Sequence, residues 1–306
     1  MDSPDQNQDQ NISTSDVPTI SIVLLLLLGL VLGGMLGSGM VYLISQAKGM
    51  EVSALLNSLN ENSPLGDRNF IRQINLVSHL MTFTVPSLLA VWFFYRRDSF
   101  RFLKMHQAPG ANQVSMGLLL VMLSFPLAQL TYWLNQQMPL PEWASSMEDN
   151  AAGLIKGLLV MENPGELLLN LLVVAIVPAI GEELLFRGLI QQLLQRALTR
   201  PHLAVWITAI IFSAFHLQFE GFIPRMLLGA ILGYLFLWTR NLWIPILAHL
   251  LFNGFQVVAQ YFYGDELEAL NLESDTEANW ISGLASLVLC ILLGRYIQKI
   301  NQVEQV

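Results

Sequence analysis

The sequence predicts an all-α fold, a polytopic transmembrane helix bundle of about eight spans. Hydrophobic residues make up 54% of the 306 residues, and charged residues only 12%. A soluble globular chain carries about a quarter charged residues, so this composition is typical of a protein embedded in a membrane. A spanning helix needs about 20 apolar residues, and apolar runs lie at approximately 19–45, 70–95, 113–135, 165–190, 203–217, 224–239, 243–263 and 280–297.

The eight runs differ in length and in proline content. Runs 203–217 and 224–239 are short, which predicts a thinned region or a bent pair of helices, and a count of seven spans is the alternative. Membrane helices tolerate proline where neighbouring groups satisfy the freed carbonyls. Four prolines inside or near the runs are therefore compatible with spans: Pro86, Pro126, Pro178 and Pro245.

The composition also divides the chain into four regions. Residues 1–17 are rich in Asp, Gln, Asn and Ser and contain no Lys or Arg, which predicts a disordered polar tail. Transit and signal peptides carry basic residues, so neither is expected here. Residues 18–164 then form N-terminal transmembrane helices and loops, and 165–263 form a helical core. Residues 264–306 form an acidic loop and a C-terminal transmembrane helix.

Basic residues in the loops predict the orientation, because cytoplasmic loops carry an excess of Lys and Arg. Placing the cluster at 96–104 inside leaves nine loop cations inside and five outside, the five being Lys48, Arg68, Arg72, Lys156 and Arg225. Both termini are then cytoplasmic. No basic patch indicates nucleic-acid binding, and a single cysteine, Cys290, excludes an intrachain disulfide.

Three polar clusters interrupt successive apolar runs. Glu182, Glu183 and Arg187 lie in the run 165–190, His216 follows Phe212 by one helical turn, and Asn253 follows His249 by one turn. Ionisable side chains at membrane depth are costly and usually mark a functional site inside the bundle. The clusters together predict a membrane-embedded hydrolase.

Helical spacing separates the roles of the two glutamates. A helix turns about 100° per residue, so Glu183 and Arg187, at i and i+4, share a face and can form an ion pair that makes their burial tolerable. Glu182 lies about 100° from Glu183 and about 140° from Arg187 on the same wheel. It is the less neutralised carboxylate, and we interpret it as a general base with Glu183 as its structural neighbour.

The histidine clusters supply the other groups that hydrolysis requires. His216 is expected to hold a water molecule against Glu182, while His249 and Asn253 are expected to donate hydrogen bonds to a developing oxyanion. Phe212 either packs beside His216 or is plain core. The remaining histidines, His79, His106 and His202, are interpreted as packing or loop-edge residues. Two histidines and a glutamate also match a zinc site by ligand type, but their spacing gives zinc no support.

In these residues the chain resembles the CPBP family of membrane proteins, which includes CAAX prenyl endopeptidases and bacterial abortive-infection-like proteins. The family pattern is Glu-Glu-x-x-x-Arg, then Phe-x-x-x-His, then His-x-x-x-Asn, and all three motifs are present here in order, at 182–187, 212–216 and 249–253. The resemblance implies an intramembrane glutamic endopeptidase with no cofactor. It assigns water activation to Glu182, water binding to His216, the oxyanion site to His249 and Asn253, and support to Glu183 and Arg187.

We therefore predict hydrolysis of a peptide bond in a membrane-associated protein or peptide, with or without a prenyl group. The expected setting is the lipid bilayer of a bacterial plasma membrane, and the oligomeric state is left open. Two alternatives retain the fold: a non-enzymatic adaptor or bacteriocin-immunity-type protein, and a zinc-dependent membrane metalloprotease. A transporter with a buried proton relay is less well supported, because the two halves show no inverted repeat.

Overall fold

The computed structural model describes residues 18–60, 62–269 and 279–303, and over these ranges the chain is helical with no strand. The predicted all-α fold is therefore confirmed. The predicted disordered tail 1–17 and residues 270–278 of the predicted acidic loop lie outside the described residues. The helices of the first half are α1 (Thr19–Lys48), α2 (Val52–Ser58), α3 (Leu65–His79), α4 (Val85–Tyr95), α5 (Ser99–Phe102), α6 (Ala111–Leu123), α7 (Phe125–Gln136) and α8 (Glu142–Leu159).

The second half contains the helices that carry the predicted site. They are α9 (Pro164–Asn170), α10 (Val177–Leu185), α11 (Gln192–Leu198), α12 (Pro201–Ala214), α13 (Phe222–Thr239), α14 (Trp243–Ala269) and α15 (Trp280–Val303). Helix α14 continues to Ala269 and so includes the first residues of the segment predicted as an acidic loop.

Within the described residues, six helical stretches are long and apolar enough to cross a membrane: Thr19–Lys48, Leu65–Phe102, Ala111–Gln136, Pro164–Leu198, Phe222–Thr239 and Trp280–Asn301. The chain is therefore a multi-pass integral membrane protein. The other two predicted runs are also helical, but α12 is shorter and the apolar run of α14 is interrupted by His249 and Asn253. The predicted count of about eight membrane spans is therefore plausible but not exact.

Three π-helical segments lie within the two spans that form the centre of the bundle: Leu80–Thr84, Leu171–Ile176 and Phe186–Gln191. The first two each end just before a proline at the second residue of the next α-helix, Pro86 in α4 and Pro178 in α10. Because proline has no N–H to donate, the regular ladder fails there and a wider turn becomes acceptable. Such π segments often accompany functional sites.

Helix α10 is the buried centre of this arrangement. It packs against the π segment Leu80–Thr84, against α3 and α4, and against α14. Its residues from Gly181 to Leu185 are all buried, whereas the outward side chains of α1, such as Leu24 and Val31, are exposed. The exposed apolar surface is the one that hydrocarbon would cover, so the inward face of α10 is free to carry polar groups.

One sequence prediction about charge is wrong. Arg68 and Arg72 were counted as loop cations, but they lie in α3 and are almost fully buried. Both bind the Glu166 carboxylate of α9, Arg68 at 3.1 Å and Arg72 at 2.8 Å. Arg72 also donates to the side-chain oxygen of Asn170 at 2.8 Å. We call these four residues the α3–α9 clasp, because they fix α3 against the span that carries α10.

Candidate active site

Glu182 and Glu183 lie near the C-terminal end of the buried helix α10, close to the centre of the span Pro164–Leu198. Glu182 is 7% exposed and Glu183 is fully buried. Two neighbouring carboxylates in an apolar bundle require partners that offset their charge, since an unpaired buried charge is strongly unfavourable. The partners of each oxygen therefore define the chemistry of the site.

Arg187 is the partner of Glu183. Its Nη1 atom lies 2.6 Å from Glu183 Oε1, so the ion pair expected from the i, i+4 spacing is present. Its Nη2 atom donates to the backbone oxygen of Gly229 on α13 at 2.7 Å. The guanidinium also lies over the ring of Phe212, 4.9 Å from the ring centre. Arg187 thus joins α10 to α12 and α13 around one buried cation.

His249 reaches α10 from α14 and lies between the two carboxylates. Its Nδ1 is 2.9 Å from Glu183 Oε1, and its Nε2 is 3.9 Å from Glu182 Oε2. An ionised carboxylate only accepts hydrogen bonds, so Nδ1 carries a proton and donates a hydrogen bond to Glu183. The helical spacing predicts that His249 lies beside Asn253, but it does not specify the bond of His249 to Glu183.

His79 is the partner of Glu182 that sequence reasoning missed. Its Nε2 lies 3.2 Å from Glu182 Oε1, although His79 was interpreted as an isolated packing residue. A signal was available in the sequence: His79 lies eleven residues after Arg68 and seven after Arg72, which places all three on nearly the same face of α3. That signal was missed because the two arginines were assigned to a loop.

His216 lies just beyond the end of α12 and is half-buried. Its Nδ1 is 3.0 Å from the backbone oxygen of Phe212, so Nδ1 is the donor and Nε2 is left to accept. The Phe212 ring contacts the rings of both His216, at 5.1 Å between centres, and His249, at 5.9 Å. His216 is therefore close to the carboxylates, although the described residues include no hydrogen bond from it to Glu182.

Asn253 lies one turn after His249 on α14, as predicted, but its amide points to a different neighbour. Its Nδ2 donates to the backbone oxygen of Val174, in the π segment Leu171–Ile176, at 3.2 Å. The structure therefore places Asn253 next to the span that carries Glu182. It shows no direct bond between Asn253 and either carboxylate within the described residues.

Aromatic rings surround these polar groups. Phe186 contacts Phe212 edge-on at 5.1 Å and Phe215 at 5.6 Å, and Phe83 stacks on His79 at 4.6 Å. Rings on several sides reduce access of bulk water, so hydrogen bonds and charges inside the site act in a low-dielectric environment. Across the described residues, no three His, Cys, Asp or Glu side chains come together as a candidate metal centre.

One segment of the chain is similar in sequence to known membrane proteins. Residues 164–255 match the model of the type II CAAX prenyl endopeptidase Rce1-like family. The chain is 31% identical over 80 residues to the uncharacterized protein YpbD of Bacillus subtilis, covering 25% of this chain and 38% of that protein. It is 32% identical over 114 residues to the membrane-embedded CAAX protease MroQ of Staphylococcus aureus, covering 35% of this chain and 44% of that protein.

The chain thus spans about two fifths of the length of these curated relatives. No solved structure gives a significant match. The matched segment contains Glu182, His216, His249 and Asn253, whereas His79 lies outside it. The motif resemblance is therefore confirmed as a match to the type II CAAX prenyl endopeptidase Rce1-like family model over residues 164–255.

Proposed function

We propose that this protein is an intramembrane glutamate-dependent endopeptidase that hydrolyses a peptide bond of a membrane-associated protein or peptide. The observation that carries the proposal is the different pairing of two adjacent buried carboxylates. Glu183 forms an ion pair with Arg187, whereas the described ion-pair partners of Glu182 are His79 and His249. A carboxylate without a permanent cation beside it can gain and lose a proton during a reaction, as a general base must.

In the proposed first step, Glu182 takes a proton from a water molecule and the water oxygen attacks the scissile carbonyl carbon. His216 binds that water, because its Nδ1 is committed to the Phe212 carbonyl and its Nε2 can accept a hydrogen bond. The carbonyl π electrons move to the oxygen and form a tetrahedral oxyanion. Glu182 then gives its proton to the departing amine nitrogen as the C–N bond breaks, so protons and electrons balance.

The oxyanion is stabilised by His249 and Asn253. His249 donates through Nδ1 to Glu183, so it can also donate through Nε2 only when the ring holds both protons. Asn253 contributes its amide by turning from the Val174 carbonyl towards the substrate. Each such donor is typically worth about 10²–10³ in rate.

The proposed substrate reaches the site from the lipid bilayer. A relative named as a CAAX protease makes a prenylated protein one candidate, but the proposed chemistry needs only a peptide bond beside Glu182. The orientation with both termini cytoplasmic remains part of the proposal. It gains support from the burial of Arg68 and Arg72, because removing them from the loop count leaves nine cations inside and three outside.

The test uses the purified full chain in detergent micelles and a library of membrane peptides, prenylated and unprenylated. We compare the wild type, Glu182→Gln and the exposed control Glu142→Gln, each with and without a chelator. We expect Glu182→Gln to lose at least about 10²-fold in rate, as for loss of a general base. Glu142→Gln should cleave like the wild type, and the chelator should have no effect.

The other outcomes separate the alternatives. Cleavage that survives in Glu182→Gln would overturn the glutamate mechanism. Cleavage abolished by the chelator and restored by zinc would favour the metalloprotease. A wild type that cleaves no peptide, prenylated or unprenylated, would favour the adaptor.

A further inference from the structure

We propose that His79 is a positioning residue for the Glu182 carboxylate, supplied by the first half of the chain to a site whose other groups come from residues 164–255. The inference rests on the proposed function of Glu182 as the base. It concerns one contact, between His79 Nε2 and Glu182 Oε1 at 3.2 Å. No other described residue from outside the matched segment bonds to either of the two site carboxylates.

The two oxygens of Glu182 have different neighbours. Oε1 accepts from His79, while Oε2 faces His249 Nε2 at 3.9 Å, which is too long for a hydrogen bond. An ionised carboxylate is an acceptor only, so the His79 nitrogen that faces it carries a proton. His79 therefore fixes one oxygen and leaves Oε2, on the side of His249, as the oxygen that takes the proton from water.

His79 is itself held firmly. Its ring stacks on Phe83 at 4.6 Å between centres with an angle of 27°. Its backbone segment lies close to α10 because position 181 is glycine: a Cβ there would lie 3.0 Å from the His79 ring and 2.5 Å from Thr84 Oγ1. The Nδ1 atom is buried and has no hydrogen-bond partner within the described residues. Nothing on that side competes with the bond to Glu182.

The α3–α9 clasp fixes the same two spans further along. Arg68 and Arg72 lie on nearly the same face of α3 as His79, and their partner Glu166 lies on the span that continues into α10. In the clasp, bonded residues are 94 or 98 residues apart in the sequence, and His79 and Glu182 are 103 apart. The π segment Leu171–Ile176 lies between these two contacts. The clasp, which lies outside the reaction centre, thus sets how far along α10 the His79 side chain of α3 meets it.

The expected consequence is a rate effect with little change in substrate binding. A glutamate released from a single rotamer spends less time in the reactive orientation, and a misplacement of about 1 Å can cost about 10²-fold in rate. We therefore expect His79→Leu to lower kcat by about 10- to 100-fold while KM changes by less than about 2-fold. The bond is made to the base, and His79 has no proposed contact with the substrate.

Two amide variants distinguish the hydrogen bond from packing. In His79→Gln the amide nitrogen can take the place of Nε2, whereas in His79→Asn it takes the place of Nδ1 and cannot reach Glu182 in the same way. We expect His79→Gln to recover to within a few-fold of the wild type and His79→Asn to resemble His79→Leu. The control is His202→Leu, because His202 is exposed at the start of α12 and bonds only to Tyr234 among the described residues.

The assay measures kcat and KM on the full chain in detergent, with thermal unfolding recorded for each variant. Equal activity in His79→Leu and the wild type, or in His79→Gln and His79→Asn, would overturn the proposal. If His79→Leu fails to fold, the Gln and Asn pair still decides. The result is separable from the proposed function: an active Glu182→Gln refutes that function, while an inactive Glu182→Gln with a fully active His79→Leu refutes only the role of His79.

Discussion

Replacing Arg187 with methionine removes the cation that offsets the fully buried carboxylate of Glu183. Methionine keeps much of the length and apolar volume of the arginine stem, so the change is mainly one of charge and hydrogen bonding. The variant loses the 2.6 Å bond to Glu183 Oε1 and the 2.7 Å bond to the Gly229 carbonyl. His249 remains the one described donor to Glu183.

The size of the effect follows from this burial. Both partners are 0% exposed, so water cannot replace the lost cation. Breaking a buried pair by removing one member costs about 3–5 kcal/mol, because the other charge is left uncompensated. At about 1.4 kcal/mol per tenfold change, that is roughly a hundred- to several-thousand-fold in the folded-to-unfolded ratio.

A double-mutant cycle measures the pair directly. The cycle uses Arg187→Met, Glu183→Gln and the double variant, each unfolded by denaturant in detergent micelles. Removing both charges should cost less than the sum of the single changes, with a coupling energy of about 2 kcal/mol or more. The matched control is Arg101→Met, whose partner Asp98 lies at 3.8 Å on an exposed surface and should contribute under about 1 kcal/mol. Additive single effects, or a loss in Arg187→Met no larger than in the control, would refute the reasoning.

Two further predictions concern the contacts that position the site. Gly181→Ala should lower the cleavage rate by about 10-fold or more, since the new methyl group would lie 2.5 Å from Thr84 Oγ1. The control is Gly34→Ala, whose methyl group would meet nothing within 4 Å and should leave the rate unchanged. Arg72→Met should destabilise the protein by about 3–5 kcal/mol in the same unfolding assay, because it breaks the buried pair with Glu166. The exposed Arg97→Met should stay within about 0.5 kcal/mol of the wild type, and an equal loss in both would contradict the clasp.

Much of the site could be predicted from the sequence because its contacts are local. Glu183 and Arg187 lie one helical turn apart, so the helix alone brings them together. Phe212 and His216 are close for the same reason, and the 3.0 Å bond of His216 is to the Phe212 backbone. The family resemblance also rests on such spacings, since each of the three motifs spans about one helical turn.

The contacts that join different spans could not be predicted in this way. His249 bonds to Glu183 across 66 residues, and His79 bonds to Glu182 across 103. Nothing in the spacing of either histidine specifies its partner. The burial of Arg68 and Arg72 was missed for the same reason, because Glu166 lies more than 90 residues away.

Hydrophobicity and spacing in the sequence were enough to predict that the chain is helical, that it is embedded in a membrane and that Glu182, Glu183 and Arg187 lie close together on one span. Hydrophobicity and helical periodicity are local properties, and the bilayer requires each span to satisfy its own backbone. The tertiary structure decided which oxygen of each carboxylate faces which histidine. That choice depends on how separate helices pack, and the glycine at position 181 and the α3–α9 clasp both lie where the His79 and Glu182 spans meet. Those contacts give two adjacent glutamates of identical chemistry two different environments.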